Sequence, residues 1–266
     1  MLLKKFRPLF FLIAIVVSSC HDKVKIAEPA PEKPSEIFLK NEVAKYPDSL
    51  AIREDLIEYY RDEGNYDSAM AITNQAIQKD SGLAELWDIK AILHFENEDT
   101  MAAIKSFETA INLYPLPEYL ISLGTLYAQT KNPKALMISD ALLIGNRAKA
   151  NREAIFIKGL YYNYTGNKKK AIIYFDSCLH IDYTYMFAYR EKAIALYDLG
   201  KYEDALQVLT RAVTVQNNFD EGYYWLGRCY EKLNKKEEAI ESYQKALLYD
   251  KDFVEAKEAL SRLGVK

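Results

Sequence analysis

The sequence predicts an all-α fold made of stacked helix–turn–helix units, and three observations carry that expectation. The chain matches itself at a fixed offset: "WLGRCYEKLNKKEEAI" (Trp225 to Ile240) lies 68 residues after "IKGLYYNYTGNKKKAI" (Ile157 to Ile172), with "KAIALYDLGKYEDAL" (Lys192 to Leu206) halfway, so the period is 34. Within each period, apolar residues recur every three or four positions in two blocks joined by a short polar or glycine turn, which is the signature of two amphipathic helices. Certain positions stay small from unit to unit, as they must where two helices approach closely and an extra methylene has no room.

Composition sets the limits. The chain has 266 residues, 50% hydrophobic and 27% charged, enough for a sizeable core. The formal charge of −3 offers no basic face or arm, so a nucleic-acid binder is not expected. Tyrosine is abundant, at 21 residues, and histidine scarce, at three.

Residues 1–19 are read as a signal peptide. Basic Lys4, Lys5 and Arg7 precede an apolar run from Leu9 to Val17. As helix that run reaches about 14 Å, well short of a ~30 Å hydrocarbon core. It ends in "VSSC", Val17 to Cys20, which resembles the lipobox of bacterial lipoproteins. The resemblance implies cleavage before Cys20, lipid on its thiol and acylation of its new amino group. The alternative is an ordinary signal peptide cut nearby. Cleavage would remove three basic residues and no acid, leaving a mature charge of −6. Several acyl chains, at ~0.8 kcal/mol per buried CH₂, would make a stable anchor. Residues 20–34 carry Pro29, Pro31 and Pro34 among charges without apolar periodicity, and read as a tether.

The folded part begins with 35–49, the second helix of a partial repeat, with Pro47 near its end. Six units follow over 50–253: 50–83, 84–116, 117–151, 152–185, 186–219 and 220–253. Numbering each from 1, position 8 is Ile57, Ala91, Gly124, Gly159, Ala193 and Gly227; position 20 is Ala69, Ala103, Leu136, Ala171, Ala205 and Ala239; position 27 is Ala76, Ala110, Leu143, Cys178, Ala212 and Ala246. Larger residues interlock with them, with Tyr60, Tyr127, Tyr162 and Tyr230 at position 11. Gly64, Gly166 and Gly200 sit at position 15, a turn that needs positive φ. The third unit is one residue longer than the period and lacks small residues at positions 20 and 27; Asn132 and Pro133 should open its second helix, and "GNRAKAN", Gly145 to Asn151, should form a longer joint. Residues 254–266 supply an amphipathic final helix, because a stack of repeats must cover an apolar face at each end.

The period and its small–aromatic pattern resemble the tetratricopeptide repeat over about three quarters of the chain. That resemblance implies a right-handed superhelical solenoid whose first helices line a concave groove through positions 2, 5, 9 and 12, spacings that share one helix face. The early groove would be acidic, through Glu54, Glu58, Glu85, Asp88 and Glu118. The later one would carry Phe156, Asn163, Phe187, Arg190, Ile194, Tyr197, Tyr224 and Arg228, the candidate partner-binding residues. Two readings of these aromatics stand: they face a partner, or they pack between neighbouring repeats. The lysine/asparagine clamp that some members use for a peptide C-terminus is absent.

The remaining candidates read as scaffold. Cys178 and Cys229 fall on small-residue or core positions in non-adjacent units and are expected buried, unpaired and inert. His21, His94 and His180 lack metal-ligand spacing, and no phosphate loop or nucleophile–base set is present, so neither metal nor cofactor is expected. The sequence is thus read as a non-enzymatic envelope lipoprotein, anchored to a membrane, outer and on the periplasmic side, that binds a protein or peptide as adaptor or assembly factor. The alternatives are a small-ligand or nutrient-binding lipoprotein, which needs an enclosed pocket, and an enzyme on a repeat scaffold, which needs a polar set in the groove.

Overall fold

The computed structural model describes residues 34–145 and 151–265. The signal segment, Cys20, the tether up to residue 33 and residues 146–150 of the joint lie outside the described residues. Among the described residues all regular structure is helical. After α1 (Glu36–Lys45) the helices come in pairs: α2 (Leu50–Asp62) and α3 (Tyr66–Lys79), α4 (Ala84–Glu96) and α5 (Thr100–Leu113), α6 (Pro117–Gln129) and α7 (Lys134–Gly145), α8 (Asn151–Tyr164) and α9 (Lys168–Ile181), α10 (Met186–Asp198) and α11 (Tyr202–Val215), α12 (Asp220–Lys232) and α13 (Lys236–Tyr249), then α14 (Val254–Arg262).

The chain divides into two compact units, with the break after Ser106, inside α5. In the first unit, helices α1 to α4 pack in order, and Leu39 of α1 is buried with Leu56, Ile57 and Tyr60 of α2, Ala69 of α3 and Leu93 of α4. In the second, each helix from α6 to α14 packs on the next, and the first helices α8, α10 and α12 also touch in sequence. The amphipathic α14 closes that unit by burying Ala256, Ala259 and Leu260 against Ala239, Tyr243 and Ala246. Ser35, Ser49, Asn65 and Asn167 cap α1, α2, α3 and α9, each accepting from a backbone N–H three residues on.

The intra-pair turn is left-handed in all six repeats and closes by the same long hydrogen bond in five of them, the fourth bonding Lys168 N–H to the Gly166 carbonyl. Position 15 has positive φ in all six units: Gly64 at 70°, Gly166 at 91° and Gly200 at 73°, but also Glu98 at 64°, Lys131 at 59° and Asn234 at 57°. The following N–H reaches back to the carbonyl of position 11, as in Asn65 to Tyr60, Asp99 to His94, Asn132 to Tyr127, Lys201 to Leu196 and Lys235 to Tyr230. This is the Schellman closure, which satisfies carbonyls left open at a helix end. Its hydrogen bonds hold the three non-glycine residues in a region that costs an L-residue roughly 1–2 kcal/mol.

Small positions meet large neighbours directly. An added Cβ on Gly159 would lie 2.5 Å from the Phe175 ring, and one on Gly227 would lie 2.6 Å from the Tyr243 ring. The third unit departs from the expectation. Its small position is filled by Ala135, fully buried, and not by Leu136; Leu142 is buried where Leu143 was expected. The cause is the opening turn of α7. Ala135 N–H bonds to Asn132 and Leu136 N–H to Pro133, three residues back, where the other units bond four back, as in Ala69 to Asn65. A 3₁₀ turn takes three residues in place of 3.6, so the helix face advances by one residue. Asn132 Oδ1 also accepts from Lys134 N–H at 3.0 Å.

Candidate functional site

Three first helices of the second unit, α8, α10 and α12, carry the eight candidate residues, which, Ile194 apart, fall into two contact groups: Phe156, Phe187, Arg190 and, through Glu191, Asn163; and Tyr197, Tyr224 and Arg228. Three of them are already used. Phe156 is buried in a cluster with Tyr185, Phe175 and Phe187, ring centroids 5.2, 5.7 and 6.5 Å away. Asn163, also buried, donates to Glu191 at 3.3 Å and accepts from Lys168 Nζ at 2.7 Å, which in turn reaches Asp198 at 2.6 Å. Arg190 Nη1 donates to both carboxylate oxygens of Glu221 at 2.9 and 2.7 Å, while its Nε donates to Glu191 at 3.2 Å. The expectation that Phe156, Asn163 and Arg190 stand open to a partner is therefore corrected: inter-helix packing and ion pairing consume them.

The buried network has a definite charge logic. Burial pushes the Glu191 carboxyl above the usual carboxylate range, and the Arg190 guanidinium opposes that. Burial works against charge on Arg190, but Glu191 and Glu221 outweigh it and raise its pKa. Arg152 is paired in the same way with Glu153 and Asp182, its guanidinium 4.3 Å above the Tyr185 ring. Among the described residues, no hydrogen-bond donor meets the buried Glu153 Oε2.

Phe187, Ile194, Tyr197, Tyr224 and Arg228 are half-buried and keep part of their surface open. Arg228 joins two of them, Tyr197 and Tyr224. Its Nη1 donates to the Tyr224 hydroxyl at 3.0 Å and its Nη2 to the Tyr197 hydroxyl at 3.3 Å. Three rings wall the guanidinium: Trp225 at 5.1 Å, Tyr197 at 5.2 Å and Tyr224 at 5.8 Å from the centroid. Sequence reasoning missed Trp225, which lies one position outside the groove series; its place three residues before Arg228, one turn away on the same helix, was the available signal. It also missed Glu191, the acid that satisfies Arg190.

Elsewhere charges are matched in a repeating way. Lys158 meets Asp140 at 2.6 Å and Lys192 meets Asp176 at 2.5 Å, each joining the first helix of one pair to the second helix of the pair before. Lys90 and Asn74 make the same link at 2.8 Å in the first unit. Asp176, His180, Tyr189, Lys192 and Arg211 line an open depression of ≈ 480 Å³ between α9, α10 and α11. Cys178 and Cys229 are fully buried, and burial pushes both thiols up to about 12, so neither is a nucleophile at neutral pH. In the first unit Glu54 is raised by burial and by the neighbouring Glu85, Asp55 and Glu58, while Arg61 forks onto Glu96 at 2.9 and 2.5 Å. Among the described residues no helix is long and apolar enough to cross a membrane.

Helix pairs of similar length, left-handed turns at position 15 and small residues under aromatic neighbours define a helical-repeat solenoid. The tetratricopeptide repeat pattern matches residues 153–185 and 190–262, so these stretches are tetratricopeptide repeats, and the fold is that of tetratricopeptide-repeat solenoids. A tetratricopeptide repeat protein from Parabacteroides merdae superposes with a TM-score of 0.73 at 21% identity, covering 86% of this chain and 91% of that one. The TPR repeat-containing protein MJ0940 of Methanocaldococcus jannaschii is 30% identical over 128 residues, 48% of this chain and 37% of that protein. Human Superkiller complex protein 3 is 26% identical over 203 residues, 73% of this chain but 13% of that protein. The chain thus spans well under half the length of both relatives.

Proposed function

We propose that this protein is a lipid-anchored scaffold of a bacterial envelope that holds a protein or peptide segment on the face formed by α10 and α12. The observation that carries the binding reading is the contact group Tyr197, Tyr224 and Arg228, with Phe187 and Ile194 on the same helix α10 as Tyr197, all five left half-open. Such residues dominate binding energy at interfaces because they offer large area at little entropic cost. The anchoring reading rests on "VSSC" following a short apolar run with a basic start; the membrane we propose for it is the outer one, on its periplasmic side. Binding and positioning, without turnover, is the proposed role.

Two measurements test the two parts. Cys20→Ser should lose incorporated radiolabelled fatty acid and accumulate as precursor; undiminished label would remove the anchor. Affinity capture from native envelopes with wild type and with Tyr197→Ala plus Phe187→Ala, both checked for helicity, should show the main partner lost from the variant. Full recovery of that partner would move the binding surface away from α10 and α12.

A further inference from the structure

We infer that Arg228 is a receptor for a carboxylate on an acidic peptide segment of the partner, an inference that rests on the binding face proposed above. The argument begins with charge accounting. The other two half-buried arginines described in this unit already hold acids: Arg152 with Glu153 and Asp182, Arg190 with Glu191 and Glu221. In the first unit Arg61 holds Glu96, and Arg53 donates to the Pro47 carbonyl. Among the described residues the acceptors of Arg228 are two neutral phenol oxygens, and no carboxylate pairs with it. A partly desolvated cation without a counter-ion is costly to keep, and a charged acceptor binds a guanidinium about twice as strongly as a neutral one.

Geometry makes the same point. A guanidinium has five N–H donors in one plane, and the two phenols occupy two of them. The rings of Tyr197, Tyr224 and Trp225 stand around it at 5.1 to 5.8 Å and fix its orientation. The unused in-plane N–H groups are suited to a carboxylate, with which arginine forms two parallel bonds. A point-like cation would not gain from that fork, so arginine and lysine should differ at this site.

The neighbourhood chooses a peptide over a free small acid. Phe187 and Ile194 extend the apolar surface along α10 from Tyr197, and both are half-open. A ligand that fills the face therefore has apolar side chains flanking its acid. The acids on this face do not compete for Arg228: Glu191 and Glu221 are held by Arg190, and Glu231 by Arg262 and the Tyr243 hydroxyl.

The experiment uses the full chain in detergent and two fluorescein-labelled pentapeptides, acetyl-Glu-Phe-Glu-Leu-Glu-amide and its all-glutamine counterpart, in fluorescence anisotropy. The acidic peptide should bind wild type at least tenfold more tightly, and Arg228→Gln should erase that preference. Arg228→Lys, which keeps the charge, should recover only part of it. The Arg228 Nε–H resonance should shift on adding the acidic peptide to wild type, a readout that needs no variant. Equal binding of the two peptides, absence of binding to either, or undiminished preference in Arg228→Gln would each overturn the inference. So would a response to glutarate or to anionic phospholipid vesicles as strong as that to the peptide. If those results come while Tyr197→Ala plus Phe187→Ala still loses the envelope partner, the face stands and the carboxylate receptor falls. If the partner is also retained, both fall.

Discussion

Gly227→Ala is the sharpest test of how tightly the helix pairs are packed. The new Cβ would lie 2.6, 2.7 and 2.8 Å from three atoms of the Tyr243 ring. Ordinary carbon contacts begin near 3.5 Å, so the ring must retreat by about 0.9 Å. It has little freedom to do so. Tyr243 is fully buried, its hydroxyl donates to Glu231 at 2.6 Å, and its ring packs 5.7 Å from Tyr224. Overpacking of this kind costs about 1–3 kcal/mol, while replacing a helical glycine by alanine returns roughly 1 kcal/mol of propensity. The expected net loss is about 0–2 kcal/mol, and larger for Gly227→Leu. Urea unfolding followed by helix circular dichroism on wild type, Gly227→Ala, Tyr243→Leu and the double variant isolates the contact. In the Tyr243→Leu background the alanine should become neutral or stabilising, giving a coupling of about 1–3 kcal/mol. A stabilising Gly227→Ala in the wild-type background, or additivity across the four proteins, would refute the packing argument.

Two further predictions follow from the charge arrangement. Arg190→Glu should unfold the second unit at lower urea, by about 3–5 kcal/mol, because it strands Glu191 and Glu221 beside a third carboxylate; an unaltered transition would show that Arg190 is not part of the core network. Glu54→Gln should stabilise the first unit by a few tenths of a kcal/mol at pH 7.5. The sign comes from its raised folded-state pKa: stability is highest below the ordinary glutamate value and is lost as pH rises through the raised one, so neutralising the group helps only at the higher pH. Melting at pH 4 and pH 7.5 checks it, and a benefit confined to pH 4 would contradict the reasoning.

Much of the fold was legible in residue size and spacing. The 34-residue period, the helix openings near Leu50, Ala84, Pro117, Met186, Asp220 and Val254, and the small residues beneath Phe175 and Tyr243 all follow from helical periodicity and steric exclusion, which act between residues close in sequence or one period apart. Position 15 was legible only where it is glycine. At Glu98, Lys131 and Asn234 the closing hydrogen bonds impose the left-handed turn on residues that do not announce it. The register of α7 was hidden for a similar reason, since a 3₁₀ opening changes which residue faces inward without changing the residue types. The site divides along the same line. The sequence could place Phe156, Arg190 and Arg228 on one face of successive first helices. Whether each is spent or spare depended on lateral neighbours some thirty residues away. Arg190 meets Glu221 across α10 and α12, and Phe156 meets Phe175 and Tyr185, whereas among the described residues Arg228 meets phenols and an indole and pairs with no carboxylate. Pairing of charges is set by distances of a few ångströms between side chains of different helices, and only the tertiary packing of those helices supplies them.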